Sequence, residues 1–173
     1  MLEDSSQVEL DIYNLIVDHP GCYLRSIKDK LGISMGSVQY HLDRLEKTGV
    51  ISSSKRFYKS YFPASIKDGL DKKILEVLSH ERTREILLLI IEYKSPTQTQ
   101  LSKIIGLSQT SVSWHCQRLI ETKIIEEIRD GRYRRYQIIG GNKECKRIMD
   151  LMKSYLPSIW NQWSDRLLEL FFP

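Results

Sequence analysis

One stretch of this chain occurs twice, with the second copy 74 positions after the first. Both copies follow the pattern Gly-x-Ser-x-x-Ser-Val-x-x-His-x-x-Arg-Leu, which begins at Gly32 and again at Gly106. An aromatic residue, Tyr40 or Trp114, directly precedes each histidine. Two copies separated by the length of one small domain predict a duplicated module and not a solenoid.

The repeated stretch predicts two helices joined by a tight turn. Apolar residues spaced as one helix face lead up to each glycine: Leu24, Ile27 and Leu31 in the first copy, and Leu101, Ile104 and Ile105 in the second. Glycine tolerates the positive φ with which many helices end, and the serine two positions later, Ser34 or Ser108, lies where the next helix needs an N-cap. This arrangement is the helix-turn-helix motif.

The second helix of each copy has an apolar face and a polar face. The spacing i, i+3, i+4, i+7 predicts the buried face, which holds Val38, His41, Leu42 and Leu45, and in the second copy Val112, His115, Cys116 and Leu119. The opposite face holds Met35, Gly36, Gln39, Tyr40 and Asp43, and in the second copy Gln109, Thr110, Ser113, Trp114 and Gln117. Small polar groups and flat aromatic rings there favour contact with bases and sugars in a DNA major groove.

A hairpin is predicted after each of these helices. In the second copy, Asp130-Gly131 separates two β-rich runs, 124–129 and 132–138, and this dipeptide is a strong hairpin signal. The first copy has β-rich runs at 50–51 and 55–62 but no glycine between them. A helix-turn-helix followed by a basic hairpin is a winged helix.

The sequence resembles the archaeal regulators with tandem winged-helix domains, which are related to the ArsR and MarR groups. The resemblance covers roughly residues 8–139 and rests on residues 24–27 through 49–51, the two Ser-Val-x-x-His cores and the basic run 132–136. It implies a mainly α fold with small β-wings, made of two tandem winged helix-turn-helix domains. Beyond these domains, the spacing of apolar residues predicts C-terminal helices. The resemblance also implies a transcription factor whose recognition helices enter the major groove while the wings follow the backbone or the minor groove.

Positive charge is concentrated beside the predicted recognition helices. Residues 1–24 hold five acidic residues and no Lys or Arg, whereas residues 25–59 hold eight basic residues against three acidic ones. Residues 129–135 hold four arginines and one aspartate. Because Lys and Arg neutralise phosphates and supply most of the non-specific affinity for DNA, the predicted partner is double-stranded DNA.

The predicted DNA-binding residues lie on the recognition helices and the wings. In the first copy they are Ser37, Gln39, Tyr40, Arg44, Lys55, Arg56 and Lys59. In the second copy they are Gln109, Thr110, Ser111, Ser113, Trp114, Arg118, Arg132, Arg134 and Arg135. Two interpretations of Tyr40 and Trp114 stay open, contact with DNA and packing on their own helix. Two interpretations of the wing arginines also stay open: they contact phosphates, or they are solvated side chains of an ordinary hairpin.

The repeat predicts two small domains and an extension, with boundaries at 1–65, 66–140 and 141–173. Ser79 is expected to cap a long, buried helix over 81–93. In the extension, Leu156, Trp160, Trp163, Leu167 and Leu170 have the spacing of a short coiled-coil seam. We expect this segment to make a homodimer; the alternative is that it folds back and completes the core of the second domain.

Composition favours a soluble protein of the cytoplasm. The acidic beginning of the chain has no apolar signal segment, and no apolar run reaches the length of a membrane span. Three cysteines, an odd number, are more typical of free thiols than of a disulfide framework.

No cofactor and no metal are predicted. His41 and His115 lie on the buried stripe, so hydrogen bonding between helices is favoured over metal ligation. Cys22, Cys116 and Cys145 are far apart in sequence, and His19 with Cys22 is a weak pair of ligands.

The sequence therefore predicts a sequence-specific DNA-binding transcriptional regulator. An enzyme is disfavoured because the chain has no phosphate-cradling loop, no His-Glu-x-x-His and no nucleophile elbow. The alternative is a structural or assembly protein that uses winged helices to bind other proteins, as in chromosome-segregation or polymerase-associated proteins. Basic residues in both wings favour the DNA-binding interpretation.

Overall fold

The computed structural model describes residues 2–171; Met1, Phe172 and Pro173 lie outside the described residues. The chain divides into two compact units, Met1–Ser79 and His80–Pro173. Each unit contains one copy of the repeat. Residues 66–79 belong to the first unit, whereas the sequence expectation grouped them with the second.

The first unit is a helix-turn-helix followed by a hairpin. Its elements are α1 (Leu2–Asp18), β1 (Cys22–Tyr23), α2 (Leu24–Leu31), α3 (Met35–Lys47), β2 (Ile51–Lys55), β3 (Lys59–Pro63) and α4 (Gly69–Ser79). Strand β3 lies between β1 and β2 in an antiparallel sheet. The hairpin β2–β3 is the first wing, so the hairpin predicted there without a glycine is confirmed.

The apolar stripe of α3 lies in the core of the first unit, as its spacing predicts. Val38 and Leu42 are fully buried and pack, with Leu45 of the same helix, among apolar side chains of α1, α2 and the sheet, namely Ile12, Ile16, Cys22, Ile27, Ile51 and Tyr61. Burial of a large aliphatic side chain contributes about 1.5–3 kcal/mol, so these contacts fix how α3 sits in the unit. The polar face of the helix is consequently left exposed.

The turn after α1 packs tightly against α4. Gly21 has a φ of +91°, and a Cβ atom at this position would lie 2.8 Å from the carbonyl oxygen of Leu75. The hydroxyl of Ser79 donates to the carbonyl oxygens of Gly21 and Glu76. The prediction that Ser79 caps the next helix is therefore wrong: His80 is the N-cap residue, because the Ser79 hydroxyl is used within the first unit.

The second unit repeats this plan and adds two helices. Its elements are α5 (Glu81–Tyr93), α6 (Gln98–Ile105), α7 (Gln109–Glu121), β4 (Ile125–Asp130), β5 (Tyr133–Ile138), α8 (Gly141–Tyr155) and α9 (Pro157–Phe171). Strands β4 and β5 are antiparallel with Asp130 opposite Tyr133, which confirms the Asp-Gly hairpin as the second wing. Residues 86–91 of α5 are all buried, as their apolar run predicts.

The C-terminal helices pack on the second unit. Helix α9 contacts α5 and α8, and the guanidinium of Arg166 pairs with the carboxylate of Glu92 on α5. Of the predicted dimer seam, Leu156 and Leu167 are buried within the unit. Trp160, Trp163 and Leu170 are half-buried. Within residues 2–171, no helix has the length and apolar character needed to cross a membrane.

Candidate nucleic-acid interface

Both recognition helices, α3 and α7, begin in the same way. The preceding glycine, Gly32 or Gly106, has a left-handed φ of +66° or +72°. The side chain of Ser34 then accepts a hydrogen bond from the backbone N–H of Ser37, and Ser108 accepts one from Ser111. These caps satisfy a backbone donor that the first turn of a helix leaves free, so each helix starts at a fixed point after its turn.

A groove of about 670 Å³ lies between the recognition helix and the wing of the second unit. Its walls come from the start of α6, the exposed face of α7 and the tip of the β4–β5 hairpin. The lining residues are Thr97, Gln98, Thr99, Gln109, Thr110, Ser113, Trp114, Gln117, Arg132, Tyr133 and Arg134. The groove thus gathers six of the nine residues predicted for DNA binding in the second copy.

The chemistry of this groove suits a polyanion with hydrogen-bonding edges. Amides and hydroxyls cover the helix side, and the ring of Trp114 is 53% exposed. On the wing, the guanidinium of Arg132 lies 5.2 Å from the ring centre of Tyr133 and also donates to its hydroxyl at 3.2 Å. Arg134 is 3.9 Å from Glu127, a distance at which an exposed ion pair contributes little. Both wing arginines therefore keep most of their charge available to a ligand.

Comparison with known proteins gives matches to both units. Residues 6–75 match a family described as an N-terminal HTH domain, where HTH denotes helix-turn-helix. Residues 80–126 match a family described as winged helix-turn-helix DNA-binding. The chain is a tandem winged helix-turn-helix protein.

One archaeal relative of this tandem winged helix-turn-helix protein is an uncharacterized HTH-type transcriptional regulator of Methanocaldococcus jannaschii. It is 30% identical over 123 residues, which cover 70% of this chain and 30% of the relative. Among solved structures, HlyU from Vibrio cholerae is 20% identical with a TM-score of 0.43, covering 50% of this chain and 92% of its own. The transcriptional repressor PagR of Bacillus anthracis is 24% identical with a TM-score of 0.41, covering 47% and 92%.

Three predicted residues of the second winged helix lie outside the groove. Ser111 takes part in the N-cap of α7, and Arg118 lies 4.8 Å from the ring centre of Trp114 on its own helix. Arg135 donates to the carboxylate of Asp130 at 2.8 Å and to the carbonyl oxygen of Ser95 at 3.0 Å. The side chain of Arg135 thus joins the base of the wing to the loop before α6.

The groove also contains Thr97, Gln98, Thr99 and Tyr133, which the sequence analysis does not single out, and Gln117, which it places on the exposed helix face but not among the predicted DNA-binding residues. The Gln98 amide donates to the backbone carbonyl of Gln109 at 2.8 Å and so holds the start of α7 against α6. A local signal existed at the start of α6, since Thr97 and Gln100 form a capping box. That motif predicts where α6 begins but does not indicate that this end faces the wing.

In the first winged helix, several residues predicted to bind DNA contact other side chains of the same unit. The Gln39 amide donates to the carboxylate of Asp43 at 2.7 Å. The ring of Tyr40 is 56% exposed, with the guanidinium of Arg44 5.8 Å from its centre. Arg44 is also 3.3 Å from the carboxylate of Glu9.

The wing of the first unit carries both paired and exposed cations. Lys59 donates to the carboxylate of Glu46 at 2.6 Å, and this hydrogen bond raises the pKa of Lys59. Lys55 and Arg56 are exposed at the end of β2. The backbone N–H of Ser37 is used by the cap of α3.

The two histidines of the recognition helices contact residues of neighbouring helices, and the three cysteines are buried. Nδ1 of His41 lies 3.2 Å from Glu9, and Nδ1 of His115 lies 2.9 Å from Thr83. Burial raises the pKa of the thiols of Cys22 and Cys116 to about 12 and that of Cys145 to about 11. Among the described residues, no group of three or more His, Cys, Asp or Glu side chains could hold a metal ion.

Proposed function

We propose that this protein is a transcriptional regulator that binds double-stranded DNA in a sequence-specific way. The observation that carries the proposal is the groove of the second unit, where the polar face of α7 and the wing arginines Arg132 and Arg134 line one concave surface. A B-DNA major groove, about 12 Å wide, admits an α-helix. Helix α7 enters it, and the wing follows the adjacent backbone or minor groove.

Each kind of side chain in the groove has a separate task in this proposal. The amides of Gln109 and Gln117 read base edges, because a side-chain amide pairs with the N6 and N7 atoms of adenine. Trp114 offers a flat apolar surface to a sugar or a thymine methyl. Arg132 and Arg134 neutralise phosphates, which fixes the position of the helix without carrying sequence information.

The proposal includes a homodimer in which α9 forms the interface. Trp160, Trp163 and Leu170 remain half-exposed on α9 while Leu156 and Leu167 are covered by the second unit. Aromatic side chains supply much of the binding energy of protein interfaces. A two-fold dimer of this kind binds a palindromic operator with one second unit on each half-site.

The test is salt-dependent binding to double-stranded DNA. The 173-residue chain is titrated against labelled genomic fragments at several salt concentrations, together with an Arg132→Ala/Arg134→Ala variant and a Lys146→Ala control on the exposed face of α8. We expect the slope of log affinity against log salt to fall by about two in the double variant, one for each phosphate contact, and to stay unchanged in the control. Wild-type protein that shows no salt-dependent binding would contradict the proposal.

A further inference from the structure

We propose that the two modules do not read DNA equally: the second winged helix carries base recognition, with Gln117 as a specificity-determining residue. In the first winged helix, Asp43 at the matching position is bonded to Gln39 and disfavours a base contact by that helix. This inference rests on the proposed function. It is carried by a comparison of equivalent positions in the two modules, which are 74 residues apart in the helices.

The first line of support is the exposed face of the recognition helix. Asp43 and Gln117 are both the ninth residue of a 13-residue helix, and both are exposed. An amide can donate to and accept from a base edge, whereas a carboxylate only accepts and is repelled by phosphates. Asp43 also accepts the amide hydrogen bond of Gln39, so the neighbouring predicted reader is already engaged on its own helix.

The second line of support is the wing. In the second strands of the wings the equivalent positions are 75 residues apart, because Ile51 pairs with Pro63 whereas Ile125 pairs with Ile138. Arg134, which lines the groove of the second unit, therefore corresponds to Lys59, whose amino group pairs with Glu46. Tyr133 corresponds to Tyr58. The Tyr58 ring stacks on Tyr23 with centres 5.7 Å apart and planes at 27°. The first wing therefore presents a paired lysine and an aromatic stack at the two positions where the second wing presents Arg134 and Tyr133 to its groove.

The third line of support is the position of Tyr23 itself. Tyr23 directly precedes α2, as Thr97 directly precedes α6. Thr97 is a small side chain that lines the open groove of the second unit. In the first unit the equivalent residue is Tyr23, whose ring packs on Tyr58 of the wing. This aromatic pair occupies the place where the second unit has a wall of its groove.

The fourth line of support is the neutralisation of charge. Glu46 of α3 pairs with Lys59, and Glu9 of α1 pairs with Arg44. The residue equivalent to Glu46 in the second recognition helix is Ile120, which has no charge. Much of the positive charge that the sequence places beside α3 is therefore balanced within the first unit itself, and what remains at Lys55 and Arg56 supports only sequence-independent attraction.

The experiment exchanges the two side chains. Gln117→Asp, Gln117→Ala and Asp43→Gln are each made in the full chain, and each is compared with wild type by selection from random duplex DNA and by titration of the wild-type site. These positions are exposed, and circular dichroism and melting check that each variant is folded.

We expect Gln117→Asp to weaken binding at least about tenfold, because a carboxylate replaces a base-reading amide, and Gln117→Ala to change the selected sequence. Asp43→Gln should return the wild-type site with an affinity within about twofold, a change too small for a direct base contact. The inference is overturned if Gln117→Asp keeps wild-type affinity, or if Asp43→Gln changes the selected sequence. Absence of DNA binding by wild type would instead refute the proposed function, so the two failures are distinguishable.

Discussion

Nδ1 of His115 lies 2.9 Å from the hydroxyl oxygen of Thr83, and this contact joins the recognition helix α7 to α5. The contact has a counterpart 74 positions earlier, where Nδ1 of His41 lies 3.2 Å from Glu9 on α1. The same pair of helix positions is thus linked in both modules, although the partner is a hydroxyl in one and a carboxylate in the other. The histidine that the repeat conserves between its two copies acts as a link between helices.

Removal of the Thr83 hydroxyl should destabilise the protein. Thr83 is buried, so a Thr83→Val variant leaves the His115 nitrogen without this partner, and we expect a loss of about 1–3 kcal/mol in the free energy of unfolding. Urea unfolding followed by circular dichroism measures the change. Thr99→Val, on the rim of the groove, is the matched control and should change stability by less than about 0.5 kcal/mol. Equal effects of the two substitutions would contradict the role of the His115 link.

Arg135 should contribute to stability in a way that Arg132 does not. Its guanidinium donates to Asp130 and to the carbonyl oxygen of Ser95, whereas the guanidinium of Arg132 donates to the side chain of its neighbour Tyr133. We expect Arg135→Ala to lower the free energy of unfolding by about 1 kcal/mol, since hydrogen bonds from charged groups are among the stronger ones. Arg132→Ala should lie within about 0.5 kcal/mol of wild type. Denaturant titrations of both variants decide the question, and the reverse order would be inconsistent with the observed contacts.

The residue after the C-cap of α7 is strained. Lys123 has a φ of +60°, a left-handed conformation, and the equivalent residue after α3 is Gly49 with a φ of +75°. This conformation costs a residue with a side chain about 1–2 kcal/mol, and glycine avoids that cost. Glycine also has more conformational freedom in the unfolded chain, which offsets part of the stabilisation. Lys123→Gly should therefore stabilise the protein by about 0.5–1 kcal/mol. The reciprocal Gly49→Lys variant should destabilise it. A shift of the two urea midpoints in the same direction would rule out this explanation.

Stability should decrease in mild acid because of His80. Burial, with Arg118 and His115 as smaller causes, lowers the pKa of His80 from 6.5 to about 4. The unfolded chain therefore takes up a proton that the folded chain does not, so the stabilisation is present above the unfolded pKa and is lost as the pH falls from 6.5 toward 4. After allowance for partial exposure, we expect the loss to be about 1–2 kcal/mol.

A His80→Gln variant isolates this effect from the titration of carboxylates. Urea unfolding of wild type and variant at pH values above and below the unfolded pKa gives the two pH slopes. The variant should show the shallower decline, because its side chain does not titrate. Parallel slopes would show that His80 does not account for the pH dependence.

Residues of the C-terminal helix α9 should fall into two groups, one that stabilises the second unit and one that forms the dimer interface. Leu167 is fully buried, so Leu167→Ala should cost about 2–5 kcal/mol of stability. The half-exposed tryptophans should matter to assembly instead: Trp160→Ala/Trp163→Ala is expected to shift sedimentation from dimer toward monomer. Gln162→Ala, exposed on the same helix, is the control. A double variant as dimeric as wild type would remove α9 from the interface.

Much of the fold could be predicted from the sequence because its signals are local. The glycine and serine that end one helix and cap the next lie within three residues of each other, and the Asp-Gly turn specifies the second hairpin by itself. The periodic stripe of the recognition helices predicted their buried face for the same reason. Each of these signals depends on residues that are neighbours along the chain.

The remaining features depend on contacts between distant residues. Ser79 looks like an N-cap in the sequence, but its hydroxyl donates to Gly21, 58 residues away. Arg135 looks like a free wing cation, yet Ser95, 40 residues away, accepts its hydrogen bond. Gln98 lines the groove only because α6 and the wing are brought together by the fold. No local pattern carries such information.

The burial of the cysteines makes the native chain a convenient background for site-specific labelling. At neutral pH a thiol whose pKa is about 11 or 12 is almost entirely protonated, and its side chain is shielded from reagents. A cysteine introduced at an exposed position, such as Lys30 in the first unit or Lys103 in the second, would carry a fluorophore or spin label selectively. The distance between the two modules, with and without DNA, then becomes measurable without replacing native cysteines, whose removal would leave cavities in both cores.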